Sequence, residues 1–534
     1  MKNIVSFYKD VICQRAYIIP LLFFSIISFG FSVFNRTVSI DDILRHYAIN
    51  NSIRGRWGGY LYANILGITE FDPFIDRFLA VLFFIVAATL LSYLFYLLSD
   101  IRNVWAYTIS SSVFISYPLV NEIWEYTTAN SATGCYLSMV TLAVILLRKQ
   151  NPNIKIIMIS SLLILIPMSG YEISIFYYIS LVCLILFYEN YKVGSSFKFS
   201  KWIKQNICYF LPVVIAFILR YVISLILLNI YDLEYSGCGD THITWLTYDF
   251  IPTFKGMLVS NFIHYILFGF VYFPITLFVA ALLFFIQYVL RSGNLLKNSV
   301  LGFLLVASLF LQAFIQGDLL PYRHTVTVTL FVTFVVFLLC STVEKGGIKR
   351  LSVYVVLFGI CWYQAVFLNR ILGLNNLRSD NELAMVRQIG FLVESNFDKK
   401  PLVVVSGYKT SNWINRQITA DNSTWNGNLF YTLCNYLGGK FSVPYKYIDT
   451  NVNTATSETI QVKEIFNYCG FDIDVIPSHY GLDNLRKSER EREILLEASK
   501  IAKKQNLRPY QIIDNGRYLI TSLGGDCFVD IEKQ

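Results

Sequence analysis

The stretch AYIIPLLFFSIISFGFSVFN, Ala16–Asn35, has no charged residue and decides the class of the fold. An α-helix needs about 20 mostly apolar residues to cross a bilayer. Lys2, Lys9 and Arg15 precede the stretch, and it runs straight into RTVSIDDILRHYAINNSIRGRW, Arg36–Trp57. A basic start before an apolar run resembles a signal peptide. No small-residue cleavage site follows and many further apolar runs do, so this segment reads as a retained first helix.

Composition extends that reading to the whole chain. Of 534 residues, 55% are hydrophobic, 16% aromatic and only 15% charged, with mean hydropathy +0.51. Soluble domains carry about 25% charged residues. The composition is that of an integral membrane protein. The net charge of +8 does not point to nucleic acid, because most of the basic residues sit in short segments between apolar runs, where topology accounts for them. The ten cysteines form no CxxC pair and no metal-ligand spacing. Cys183, Cys340 and Cys361 lie in apolar runs and read as buried thiols.

About eleven spans are expected, at 16–35, 78–99, 104–120, 131–147, 156–169, 173–189, 207–230, 268–290, 299–316, 325–343 and 351–369. With the N-terminus inside, sixteen Lys and Arg fall in inner segments and seven in outer ones before residue 370. Five of those seven, Arg36, Arg45, Arg54, Arg56 and Arg77, belong to the first outer loop, 36–77. This bias predicts a cytoplasmic N-terminus and, with an odd span count, an outer C-terminal tail.

Composition changes near residue 370. From 370 to 534 basic and acidic residues nearly balance, twenty against nineteen. Leu402–Val405, Tyr518–Leu523 and Cys527–Ile531 read as strands, and Ser457–Tyr468 and Ser488–Lys504 as helices. The expectation is a polytopic domain, 1–370, followed by a small periplasmic α/β domain, 371–534. Cys434, Cys469 and Cys527 of the tail would meet an oxidising compartment, where one disulfide fits.

The outer segments gather acids, aromatics and a few arginines. Asp41 and Asp42 stand just past the first span, where a carboxylate meets the head of a lipid-borne substrate and can act as a general base. The plain reading is a capping box on Ser39, with Asp41 and Arg45 paired at i,i+4. Arg45 and Arg56 offer planar forks for phosphate oxygens, and Trp57 a face for a sugar or an interfacial anchor. Glu122 and Glu125 flank Trp124 and read as sugar contacts or as solvated helix ends. Tyr171 and Glu172 lie in a very short turn between two spans, where an acid has little room to be idle. Arg323, beside Asp318, Tyr322 and His324, reads as a phosphate clamp or an outer anchor. Arg220, inside the apolar run Phe210–Ile230, faces a cavity or snorkels. Asp42 with His46, and Asp240 with His242, have spacings compatible with a divalent cation, magnesium or manganese; the plain readings are a structural histidine and a simple turn. No cofactor is required by the sequence.

A long first span, an Asp-Asp pair at the start of the first outer loop and Gly55-Arg56-Trp57 about a dozen residues on resemble the bacterial serotype-converting O-antigen glucosyltransferases, the type II glucosyltransferase family. The many spans and outer tail are similar to the wider GT-C class of polyprenyl-phosphate-sugar transferases. The resemblance covers the chain to about residue 370. It implies an inner-membrane enzyme moving glucose from undecaprenyl-phosphate glucose to O-antigen, with Asp41 and Asp42 as the family's first-loop acids. Arg56 and Trp57 match its arginine-tryptophan motif. Where the family commonly has tyrosine then glutamine at the outer end of a middle span, this chain has Tyr171-Glu172.

The leading expectation is therefore a glycosyltransferase whose partners are a lipid-linked sugar donor, an O-antigen acceptor and the membrane. The rival readings are a lipid-linked sugar flippase, an O-antigen polymerase, and another GT-C transferase using a different sugar. Transporters concentrate ionisable groups at mid-membrane and show repeated halves. Here the acids cluster at span ends and no repeat is apparent.

Overall fold

The computed structural model describes residues 2–35, 56–69, 73–101, 103–118, 123–124, 127–148, 152–192, 199–231, 251, 254–255, 273–316, 324–343 and 347–396, together with 403–406, 467, 469–471, 510–511, 518–523 and 526–531. The described residues are mostly helical. In chain order they form α1 (Lys2–Phe7), a π-helical turn (Tyr8–Ile12), α2 (Arg15–Phe34), α3 (Trp57–Leu66), α4 (Pro73–Leu98), α5 (Val104–Ser116), α6 (Thr127–Leu147) and α7 (Ile154–Gly170). Then follow α8 (Ile173–Lys192), α9 (Phe199–Ile230), α10 (Phe273–Leu290), α11 (Leu295–Leu309), α12 (Leu311–Gln316), α13 (Val326–Thr342) and α14 (Ile348–Asn396).

Five of these helices are long and apolar enough to cross a membrane, within α2, α4, α8, α9 and the first part of α14. Six shorter apolar helices accompany them, within α5, α6, α7, α10, α11 and α13. Many apolar side chains turn outward, such as Ile218, Leu225, Phe303 and Val355. Such exposure fits lipid as the surrounding medium, where apolar surface carries no penalty.

The packing explains why some short segments are helices at all. α5 is buried from Ala106 to Ser116, and its serines approach neighbouring helices closely. Ser111 meets Tyr17 Oη at 3.1 Å and Ser92 Oγ at 2.6 Å, while Ser112 donates back to the Thr108 carbonyl. Small hydroxylated residues let helix axes draw together in lipid and keep their polar atoms paired.

Two expected segments differ. The span expected at 299–316 is broken at Phe310 into α11 and α12. Ser308 stands at the break, where its hydroxyl bonds the Leu305 carbonyl and Ser180 Oγ and its own carbonyl accepts from Ser180. Around the break the Phe310 N–H turns back to the Ala307 carbonyl, and the Phe314 N–H donates to the Phe310 carbonyl. Asp76 and Arg77, expected at the end of the first outer loop, lie instead in the opening turns of α4 and are almost fully buried.

The bundle has two polar ends. At one, the ends of α2, α3, α4, α7, α8 and α13 carry Arg77, Arg56, Glu172 and His324. At the other, Arg148 Nε bonds Glu189 at 2.9 Å and Lys297 Nζ bonds the Asn190 carbonyl at 2.6 Å, capping α8.

The chain divides into two compact units. The first holds Met1–Arg36, Tyr47–Gly373 and Trp425–Phe441, and the second Thr37–His46, Leu374–Thr424 and Ser442–Gln534. In the second, four strands, β1 (Val403–Ser406), β2 (Tyr510–Gln511), β3 (Tyr518–Leu523) and β4 (Asp526–Ile531), pair in the order β1-β4-β3-β2. β1 runs parallel to β4, with Val404 opposite Phe528, and the other pairs are antiparallel. The helices expected at 457–468 and 488–504 fall almost wholly outside the described residues, as do Cys434 and, for its side chain, Cys527. Cys469 is a free thiol.

Candidate active site

The site is built on the corner between α7 and α8. Pro167 and Gly170 close α7, and Tyr171 leaves it in an extended conformation, φ −153° and ψ 118°. Only Tyr171 and Glu172 separate the two helices, so Glu172 stands at the N-terminus of α8, where the helix dipole favours a negative charge.

Two arginines from other helices reach that carboxylate. Arg56, the residue before α3, donates from Nε to Glu172 Oε1 at 3.2 Å, and its Nη2 lies 3.1 Å from Oε2. This is a two-point fork, the geometry in which a guanidinium binds a planar anion best. Arg220 of α9 brings Nη2 to 3.7 Å from Oε1. Both arginines also take part in further interactions. The side chains keep part of their surface open, 47% for Arg56, 34% for Glu172 and 24% for Arg220.

α3 is held rigidly beneath Arg56. A Cβ at Gly58 would overlap the Ile166 carbonyl oxygen and lie 2.7 Å from Gly170 N. Gly170 in turn lies against the Tyr136 ring of α6, with no room for a Cβ. Only glycine permits α3 and α7 to meet so closely. Gly67, at φ 67°, ends α3 in a left-handed turn. Trp57 is buried beside this contact, and its indole Nε1 has no hydrogen-bond partner among the described residues, nor have Tyr136 Oη and Ser169 Oγ.

A second polar group lines the same corner. Tyr171 meets His324 edge to face, with ring centroids 5.5 Å apart. The Gln312 side-chain amide and His324 Nδ1 are hydrogen-bonded at 2.7 Å. Nearby, Arg77 donates from Nη1 to the carbonyls of Ser32 and Asn35, satisfying the end of α2. Asp76 accepts from Ser131 Oγ. Trp124 stacks on Phe29 at 4.1 Å and is fully buried.

Of the residues proposed from sequence, the structure brings Arg56, Trp57, Tyr171 and Glu172 to one corner. Asp41, Asp42, Arg45, Glu122, Glu125 and Arg323 lie outside the described residues, as do His46, Asp240 and His242. Among the described residues no three His, Cys, Asp or Glu side chains gather in a metal-binding set. Arg220 belongs to the site although it lies 48 residues past Glu172, and its signal in the sequence was a charge inside an apolar run. Gln312, Gly58 and Gly170 carried no such signal, because amide and glycine positions are common in spanning helices.

The family model for the glucosyl transferase GtrII matches residues 30–369. The chain belongs to this family. No curated protein and no solved structure matches it. Arg56, Glu172 and Arg220 all fall inside the GtrII match. As a GtrII-family member the protein is a glycosyltransferase, which sets aside the flippase reading. A sugar donor and an acceptor are its substrates, and its apolar helices make it a membrane protein.

Proposed function

We propose that this protein transfers glucose from undecaprenyl-phosphate glucose to O-antigen of lipopolysaccharide at the periplasmic face of a bacterial inner membrane. Three things support the reading: family membership, about eleven apolar segments with basic residues biased to one side, and two guanidiniums meeting at one end of the bundle. The observation that carries it is the convergence of Arg56 and Arg220 on Glu172. A lipid-phosphate donor needs positive charge where its phosphate departs, and arginine supplies it with two-point geometry. Serotype conversion is the cellular outcome that fits this activity.

In this reading the N-terminus is cytoplasmic, and residues 371–534 form a periplasmic α/β domain that sets acceptor choice. Arg56, with Arg45 and Arg323, holds the donor phosphate, and Trp57 stacks on the sugar. Asp41 or Asp42 takes the proton from an acceptor hydroxyl, whose oxygen attacks the sugar's anomeric carbon as the bond to phosphate breaks. The step is an inverting single displacement. Glu122, Glu125 and Tyr171 line the acceptor side.

The test supplies lipid donor and O-antigen to membranes containing the wild-type protein, Asp41→Asn or Asp42→Asn. Glucose transfer by the wild type and its loss in one or both variants is expected. Full activity in both variants removes the assigned base, and no transfer by the wild type removes the donor.

A further inference from the structure

Glu172 is an anion set between two cations. Its Oε1 faces both guanidiniums, at 3.2 Å from Arg56 Nε and 3.7 Å from Arg220 Nη2, while Oε2 completes the fork on Arg56 at 3.1 Å. The carboxylate occupies the same faces of the arginines that a phosphate would take. The backbones are fixed independently of it: α3 is locked on α7 through Gly58, and Arg220 is carried by α9, a 32-residue helix. Helix packing thus places the two arginine backbones, and Glu172 occupies what lies between the side chains.

We propose that Glu172 is an internal stand-in for the donor's phosphate. It holds Arg56 and Arg220 together in the unliganded protein and yields them to a lipid phosphate on binding, so Arg220 is a donor-binding residue alongside Arg56. The proposal rests on the reading of this corner as a lipid-phosphate site. Its consequence is a bias toward product release. The donor is a phosphodiester with one negative charge. When the bond from the anomeric carbon to the phosphate oxygen breaks, its electron pair leaves with that oxygen, and the acceptor's proton goes to the aspartate base. The freed lipid phosphate is a monoester of charge about −1.5 to −2 near pH 7, a stronger ligand for the arginines than the donor was. Glu172 offers the arginines a replacement anion at the moment the product must leave.

The test uses full-length protein in detergent micelles, with geranyl phosphate as a soluble prenyl phosphate and with geraniol and inorganic phosphate as comparisons. Glu172→Gln, with Glu172→Ala as a second variant, is expected to bind geranyl phosphate roughly three- to tenfold more tightly than the wild type, since one competing charge is removed. Arg220→Gln is expected to weaken binding about tenfold or more, and Arg220→Lys to recover only part of it. In turnover, Glu172→Gln lowers KM for the donor and kcat together. Unchanged or weaker binding in both Glu172 variants overturns the stand-in while leaving the phosphate site in place. Wild-type binding of geranyl phosphate no stronger than that of geraniol overturns the phosphate site itself. Equal binding of inorganic phosphate overturns the lipid source.

Discussion

Gly58 and Gly170 meet backbone to backbone, so closely that a Cβ on Gly58 would sit 2.7 Å from Gly170 N. This contact joins the helix that follows Arg56 to the helix that precedes Glu172. The salt bridge between those residues is partly exposed, and such pairs contribute about 0–1 kcal/mol. The glycine contact therefore sets the geometry, and the ion pair forms within it.

Gly58→Ala should displace α3, because the obstructing Ile166 and Gly170 atoms are backbone and cannot rotate away. Glucose transfer should fall about tenfold to a hundredfold, the scale expected for a shift near 1 Å at a binding group. Gly59→Ala, with nothing within 4 Å of the added carbon, should keep wild-type activity and expression. Equal activity of the two variants in a membrane transfer assay would show that α3 tolerates displacement.

Arg77 is buried and donates to two carbonyls at the end of α2. Arg77→Met should leave those oxygens without their donor and cost roughly 2–4 kcal/mol. Thermal unfolding in detergent should show a clear fall in midpoint. An unchanged midpoint would mean that other groups satisfy the helix end.

Trp57→Phe keeps a buried ring and removes an N–H that has no partner among the described residues. Stability should not fall beyond the cost of the smaller ring, about 1–2 kcal/mol. Donor KM should rise, because the indole is assigned to the sugar. A loss of stability with unchanged KM would make Trp57 a packing residue alone.

Cys13 is exposed, just before α2. In a variant whose other cysteines are replaced, a membrane-impermeant maleimide should label Cys13 in inverted vesicles and leave it unlabelled in intact spheroplasts. The opposite pattern would reverse the proposed orientation and place the arginine corner on the cytoplasmic side.

The amino-acid sequence alone determined that this is a multi-span helical membrane protein, because hydropathy over about 20 consecutive residues is a local property and lipid reads it directly. Its short motifs also marked Arg56, Trp57, Tyr171 and Glu172, since charge at the end of an apolar run stands out without knowledge of the fold. Only the tertiary structure decided that Arg56 and Glu172, 116 residues apart, form one fork, and that Arg220 joins them. It also moved Asp76 and Arg77 from a loop to a buried helix start and broke one expected span at Phe310. These outcomes depend on which helix lies against which. In lipid that choice is made by close fit at residues such as Gly58, Gly170 and the serines of α5, whose small size looks alike at every position until a neighbour is pressed against it.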